Sequence, residues 1–228
     1  MRVHLQRDIE KLKRRLLALS TEVEEAVRQA LRAVAERDAE LARQVVAREA
    51  ETNVLEVDVE EDCLKILALH QPVAGDLRYI VAALKIDRDL ERIADLAAHV
   101  AERGLALCEL PPLEIPFRID EMGVKVEAML KKALDAFVSL NTTAAHDVCA
   151  LDGEINAIKR ETYRQVRLAV MEVPWNFDAL MQMMHLARHL ERIADHATNI
   201  AEDLIYLVEG RIVRHTAEVA AAPVAPDA

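Results

Sequence analysis

Two short clusters of carboxylates recur in this chain at a spacing of 100 residues. The hexapeptide Leu-Glu-Arg-Ile-Ala-Asp occurs at Leu90–Asp95 and again at Leu190–Asp195. Because repeats at one constant offset indicate an internal duplication, the chain is predicted to contain two copies of one structural unit. Helix packing explains the apolar residues of the hexapeptide, but it does not explain the acids. This surplus of negative charge is the first indication of a function.

The acids of each copy are predicted to form a ridge along one side of a helix. At about 100° per residue, they fall on a narrow strip beside the apolar face. Glu102 and Glu202 lie on these strips, towards the ends of the two helices. The acids closest to the hexapeptides are Asp87, Glu91 and Asp95 on the first ridge and Glu191 and Asp195 on the second. Carboxylates four residues apart repel one another unless a positive charge lies between them, and oxygen-rich sets bind hard cations. These five residues are therefore candidate metal ligands.

Surface ion pairs are the alternative explanation of the same spacing. Arg88 precedes Glu91 by three residues, and Arg92 precedes Asp95 by three. Pairs at this spacing are common on exposed helix faces and need no ligand. The spacing alone leaves both interpretations open.

Three histidines of the second half form a weaker candidate site. His185, His189 and His196 fall within about 40° of one another, opposite the apolar stripe. His185 and His189 could chelate a transition metal, but only the second half has them. The favoured interpretation is a polar surface that faces solvent or a partner.

Composition favours a helical protein of the cell interior. The 228 residues are 52% hydrophobic but only 3% aromatic, and the net charge is −11, which argues against binding nucleic acid through phosphate contacts. The start of the chain resembles no signal peptide, and no apolar run is as long as the roughly 20 residues of a membrane-spanning helix. Three separated cysteines indicate reduced thiols rather than a disulfide or zinc framework. We expect a cytoplasmic protein.

The apolar periodicity predicts six helices, three in each half. They cover approximately residues 5–30, 38–70, 75–108, 119–140, 143–173 and 176–209. Asn176 is expected to cap the last helix, with Asp178 in its first turn. The predicted fold is all-α, with one three-helix bundle at residues 1–110, a second at 111–213 and a disordered tail at 214–228.

Four segments of the sequence resemble the PhoU family of phosphate-uptake regulators. They are Arg37–Ala42, His70–Arg78, Leu84–Ile86 followed by the first hexapeptide, and Leu190–Glu202. The resemblance extends from the first helix to about Glu209 and implies two three-helix repeats. The usual glycine of the repeated motif is alanine in both copies, and His99 takes the place that Asn199 has in the second copy.

The resemblance implies a negative regulator of the phosphate-starvation response that is not an enzyme. Its implied partners are the ATPase subunit of the phosphate ABC transporter and a phosphate-sensing histidine kinase, so it would reach the membrane only through them. A homodimer is expected. The resemblance also implies metal ions on the pairs Glu91/Asp95 and Glu191/Asp195, with iron, manganese, zinc and magnesium as the candidates.

Two other functions compatible with the sequence are a multinuclear metalloenzyme and a helical scaffold without a ligand. In the first, the carboxylates would hold a hydrolase or ferroxidase centre. No nucleophile motif or glycine-rich phosphate loop accompanies the acids. The non-catalytic regulator is the favoured hypothesis.

Overall fold

The computed structural model describes residues 2–113 and 117–213, which form six α-helices and no strand. The helices are α1 (Arg2–Glu36), α2 (Ala39–His70), α3 (Ala74–Cys108), α4 (Ile119–Ser139), α5 (Thr142–Glu172) and α6 (Phe177–Glu209). The predicted all-α fold is confirmed, and so is the division into two tandem three-helix bundles. The tail expected at residues 214–228 lies outside the described residues.

Apolar side chains spaced three and four residues apart produce the long first helix of each bundle. On α1 and α4 these side chains fall on one face, and packing that face against two neighbouring helices removes it from water. The fully buried positions include Leu12, Leu16, Leu19 and Val23 on α1, and Met122, Val126, Met129 and Ala133 on α4. The two bundles share one continuous apolar core. Within the described ranges, no helix is long and apolar enough to cross a membrane.

The second helix of each bundle begins with the same kind of capped turn. Arg37 adopts a left-handed conformation, and the carboxylate of Asp38 accepts hydrogen bonds from the backbone N–H groups of Glu40 and Leu41. In the second bundle Leu140 is left-handed, and the side chain of Asn141 accepts from the N–H of residue 144. These caps satisfy helix donors that would otherwise have no partner.

The last helix starts differently from the prediction. Residues Pro174–Asn176 form one turn of 3-10 helix directly before α6. Asn176 stands at the N-cap position, but its side chain makes no capping hydrogen bond. Its φ of −95° and ψ of 14° lie outside the extended region that a capping side chain needs. Asp178 lies in the first turn of α6, as expected.

The third helices, α3 and α6, form the centre of the molecule. Each packs against the other two helices of its own bundle and also against its counterpart in the other bundle. Contacts along the pair place residue 85 beside 203, 99 beside 189 and 103 beside 182, so the helices run antiparallel. Both copies of the repeated hexapeptide therefore lie on helices that are packed on more than one side.

The two capped turns give a first prediction. Asp38→Ala and Asn141→Ala should each lower the free energy of unfolding by about 1 kcal/mol, because each leaves N-terminal helix donors without an acceptor. Urea denaturation measures the change. Arg32→Ala, which removes an exposed i, i+4 ion pair on α1, is the control and should have little effect. Equal stabilities for all three variants would contradict the assignment of these caps.

Candidate metal centre

The first acidic ridge lies in the seam between α2 and α3. Asp87 is only 2% exposed, although it sits among charged residues. One of its carboxylate oxygens, Oδ1, is buried and has no hydrogen-bond partner. Glu91 and Asp95 follow on the same side of α3 with their side chains about one-quarter exposed. The ridge thus runs from a buried carboxyl group to partly exposed ones.

Helix α2 adds further carboxylates to this ridge. Burial, together with the negative charges of Glu56, Glu60 and Glu91, raises the pKa of Asp87 to about 8. Burial is also the largest cause that raises the pKa of Glu91, and the charge of Asp95 is the second. Every charge that affects the pKa of Asp87 raises it, whereas Arg92 lowers the pKa of Glu91, so positive charge acts at the exposed end of the ridge and not at its buried end.

At the exposed end of the first ridge, an arginine neutralises part of the negative charge. Arg92 contacts Glu91 at 3.2 Å and Asp95 at 3.2 Å. The predicted pair of Arg92 with Asp95 is therefore formed, whereas Glu91 is paired with Arg92 rather than with Arg88. The Arg92 side chain is 47% exposed, so solvent screens its charge. It does not satisfy the buried oxygen of Asp87.

The second ridge carries its own cation. Lys159 on α5 contacts the carboxylate of Glu191 at 2.6 Å. Burial and the charges of Glu191 and Asp152 raise the pKa of Asp195, and Lys159 and His196 lower it, so that the pKa is about 6. Asp152 on α5 faces the same ridge and has one buried oxygen without a partner. This ridge is acidic, but a lysine ammonium group lies within it.

An alignment of the two bundles explains the difference. The caps Asp38 and Asn141 are 103 residues apart, and the buried residues of α2 and α5 follow the same offset. At that offset Lys159 takes the place of Glu56. On the third helices, at an offset of 100, an alanine takes the place of Asp87. The two copies therefore differ in the charged residues of their ridges, and the first ridge is the more negative of the two.

Sequence reasoning missed the contributions of α2 and α5. It identified the five acids of α3 and α6 but not their neighbours across the seam. The missed residues are Glu56, Glu60, Asp152 and Lys159. They lie in stretches rich in charge, and the offset of 100 that relates the hexapeptides does not align them. The offset of 103, visible in the helix caps, is the signal that could have revealed them.

The donor set of the first ridge fits a hard cation in its chemistry. It consists of carboxylate oxygens, and the buried oxygen of Asp87 has no other partner. Within the described ranges, however, no three His, Cys, Asp or Glu side chains are arranged as ligands of one metal ion. Binding would require rotamer changes that draw the mutually repelling acids together. The structure therefore leaves the predicted metal site untested.

The histidines of α6 do not form the polar surface that the sequence predicted. His189 is buried, and its ring stacks on that of His99 with 5.3 Å between centroids. His196 hydrogen-bonds to the carboxylate of Asp89 at 2.8 Å. The reason is that the side of α6 turned away from its own bundle core packs against α3. A face judged polar from one bundle alone is partly buried once two bundles associate.

Comparison with known proteins agrees with this architecture. The family model described as the PhoU domain matches residues 16–104 and again residues 119–204. The chain is 38% identical to a phosphate-specific transport system accessory protein PhoU homolog of Aquifex aeolicus, over 92% of this chain and 95% of that protein. The corresponding protein of Pseudomonas aeruginosa is 37% identical over 91% of this chain and 86% of its own length.

Solved structures of related proteins have the same fold. A crystal structure of PhoU from Pseudomonas aeruginosa matches 90% of this chain and 99% of its own with a TM-score of 0.88 and 36% identity. The phosphate transport system regulatory protein PhoU from Streptococcus pneumoniae matches 92% of this chain and 99% of its own, with a TM-score of 0.81 and 28% identity. Two family domains, identity above 30% and superposable helices together establish that the chain belongs to the PhoU family.

Proposed function

We propose that this protein is a regulatory accessory factor of a phosphate transport system and that it has no catalytic activity. The main support for this function is a sequence comparison. Over 92% of its length, the chain is 38% identical to a protein named as an accessory of phosphate-specific transport. A second solved relative is named a regulatory protein of the phosphate transport system. Similarity over nearly the full length favours a shared role rather than a shared domain within different proteins.

In this proposal the chain is a cytoplasmic adaptor between two signalling partners. One is the ATPase subunit of the phosphate ABC transporter, and the other is a phosphate-sensing histidine kinase. When phosphate is plentiful, the adaptor holds the kinase in a state that does not activate its response regulator. The protein reaches the membrane only through these partners, and a homodimer stays a prediction.

The proposal places a metal ion on the first ridge in preference to the second. The candidate ligands are Asp87, Glu91 and Asp95, with Glu56 and Glu60 facing them across the seam. A bound divalent or trivalent cation would neutralise the acids whose negative charges raise the pKa values of Asp87 and Glu91. On the second ridge the ammonium group of a lysine already performs this neutralisation. Iron, manganese, zinc and magnesium remain the candidate ions.

The openness of the site supports a structural or regulatory ion over a catalytic one. On the first ridge, the side chains of Glu91 and Asp95 are about one-quarter exposed to solvent. The second ridge likewise borders an open depression, lined by Asp152, Arg192, Asp195, His196, Thr198 and Asn199. Catalytic centres need a shaped cavity that excludes water and surrounds much of the substrate. An acidic helix seam open on one side can hold an ion and change shape with its binding, which suits a regulator.

The buried carboxyl group of Asp87 gives a prediction about pH. Its folded pKa of about 8 lies above the unfolded value, so its contribution to stability is present below about pH 4 and is lost as the pH rises through 8. Asparagine carries no such charge. In metal-free protein, Asp87→Asn should therefore be more stable than the wild type by about 2–4 kcal/mol at pH 8.5 and nearly equal to it at pH 4.

Urea denaturation of chelator-treated protein at the two pH values measures this difference. Asp95→Asn, which alters a carboxylate already paired with Arg92, is the matched control and should show no comparable gain at high pH. A gain for Asp87→Asn that is the same at both pH values would contradict an uncompensated buried carboxylate.

Metal analysis distinguishes the two ridges. We expect Asp87→Asn combined with Glu91→Gln, or Glu91→Ala combined with Asp95→Ala, to weaken manganese binding at least about tenfold without loss of helix content, because each removes two oxygen ligands. Asp195→Asn is the control on the second ridge and should bind as the wild type does. Elemental analysis after anaerobic purification and titration with manganese give the readout. Equal losses for both ridges, or no binding by the wild type, would refute this assignment.

A deletion strain tests the regulatory role. We expect it to express phosphate-starvation genes in phosphate-rich medium, where the wild type represses them, because the kinase would no longer be held inactive. Reintroducing the gene should restore repression, and affinity capture in high phosphate should recover the transporter ATPase and the kinase. Normal repression in the deletion strain would count against the adaptor.

A further inference from the structure

The antiparallel pair of α3 and α6 has two ends that are related by the duplication. Each position of α3 is equivalent to the position 100 residues later on α6. A contact between the two helices therefore has an equivalent contact at the opposite end of the pair. At one end, Lys85 contacts Asp203 at 3.1 Å. Beside it, the Asp89 carboxylate hydrogen-bonds to His196 at 2.8 Å and accepts from Asn199 at 3.2 Å. At this end of the pair, each of the two carboxylates has a hydrogen-bonding partner on the opposite helix.

At the other end, basic groups replace the carboxylates. The position equivalent to Asp203 is Arg103, and the position equivalent to Asp89 is His189. Their partners by symmetry are also basic, because His185 takes the place of Lys85 and His99 that of Asn199. The same helix framework thus brings cationic and imidazole groups together where its other end has acid–base pairs.

This basic end leaves buried nitrogen atoms without partners. The Nδ1 atom of His189, a residue 9% exposed, has no hydrogen-bond partner, and neither does the buried Nε of Arg103. The other guanidinium nitrogens of Arg103 donate to Gln182 at 3.3 Å and to Glu102 at 3.1 Å. An unsatisfied buried polar atom is costly, and more so when it belongs to a charged group.

Basic side chains surround His189, whose ring stacks on that of His99 with 5.3 Å between centroids. Burial, together with the neighbouring His99, Arg188, Arg103 and His185, lowers the pKa of His189 to about 4. The pKa of His185 is lowered for similar reasons, by burial and then by the two arginines. Glu102 compensates Arg103 from its own helix and does not remove these effects.

We propose that this end of the α3–α6 pair binds a small oxyanion, held by Arg103, His189 and His99 with Arg188 at the rim. The anion would take the role that the carboxylates of Asp89 and Asp203 have at the opposite end. His99 and Arg188 are exposed, so the site opens to solvent on one side. Oxyanions accept charge-assisted hydrogen bonds from guanidinium and imidazole groups.

Both bundles contribute to this site, so an anion there would stabilise one relative position of the two. Arg103 and His99 lie on α3, whereas His185, Arg188 and His189 lie on α6. Occupancy would therefore affect the packing of the bundles against each other. That the anion is inorganic phosphate rests on the proposed function. The existence of an oxyanion site does not depend on that function.

Calorimetric titration of the full chain with inorganic phosphate, and separately with sulfate, tests the proposal. We expect one anion per chain and a loss of affinity of at least about tenfold in Arg103→Gln, because a charged hydrogen-bond donor is removed. Arg32→Gln removes an equal charge from an exposed site on α1 and is the control. Absence of binding of either anion to the wild type, or the same loss in both variants, would overturn the proposal.

A second variant guards against a simple folding defect. His189→Asp places a carboxylate where the opposite end has Asp89, facing His99. It should abolish anion binding while the melting temperature stays at or above that of the wild type. Retained binding in this variant would contradict the site. Tighter binding of phosphate than of sulfate would link the site to phosphate regulation. Equal binding of the two anions would support a general oxyanion site. That result would stand even if the deletion strain represses its phosphate-starvation genes normally and the proposed function fails.

Discussion

Neutralisation of carboxylates beside a helical core is the constraint on which this structure depends. An ionised oxygen loses its hydration when helices pack around it, so it needs a proton, a cationic side chain or an ion. Asp203 is paired with Lys85, and Glu191 with Lys159. Asp87 is as deeply buried as Asp203, yet one of its oxygens has no partner. Asp152 beside the second ridge also has a buried oxygen without a partner, but it is less deeply buried than Asp87 and Lys159 lies within its ridge. The carboxylate of Asp87 is therefore the most deeply buried one on the two ridges whose charge the protein does not neutralise.

Duplication provided the framework, and later divergence distributed the charge. Each bundle keeps its apolar seam, its capped turn and its repeated hexapeptide, because these features maintain the same helix packing. The charged positions beside the core differ between the two copies. The seam of the second bundle has Lys159 where the first has Glu56, and one end of the α3–α6 pair has His189 and Arg103 where the other has Asp89 and Asp203. The two halves are similar in fold but are not equivalent as binding sites.

Much of the fold could be predicted from the sequence because the helices follow simple local rules. The spacing of Leu12, Leu16 and Leu19 predicts a buried face, and the prolines and caps mark the helix ends within a few residues. The candidate site could be predicted only in part. A helical wheel places Asp87 at the edge of the packing face, but it cannot reveal that Glu56 faces it from another helix. For the same reason it assigned His189 to a polar surface, since the periodicity of α6 cannot reveal that α3 of the first bundle covers this residue.

The most direct test of the central claim is the titration of the Asp87 carboxyl group itself. Carbon NMR of aspartate-labelled protein can follow this group between pH 3 and pH 10, and Asp87→Asn assigns its signal. In metal-free protein the account predicts a pKa near 8, and saturation with magnesium or zinc should lower it by several units, because a bound cation favours the ionised form. A carboxyl group that titrates near pH 4 without metal, and is unchanged by either ion, would contradict the account.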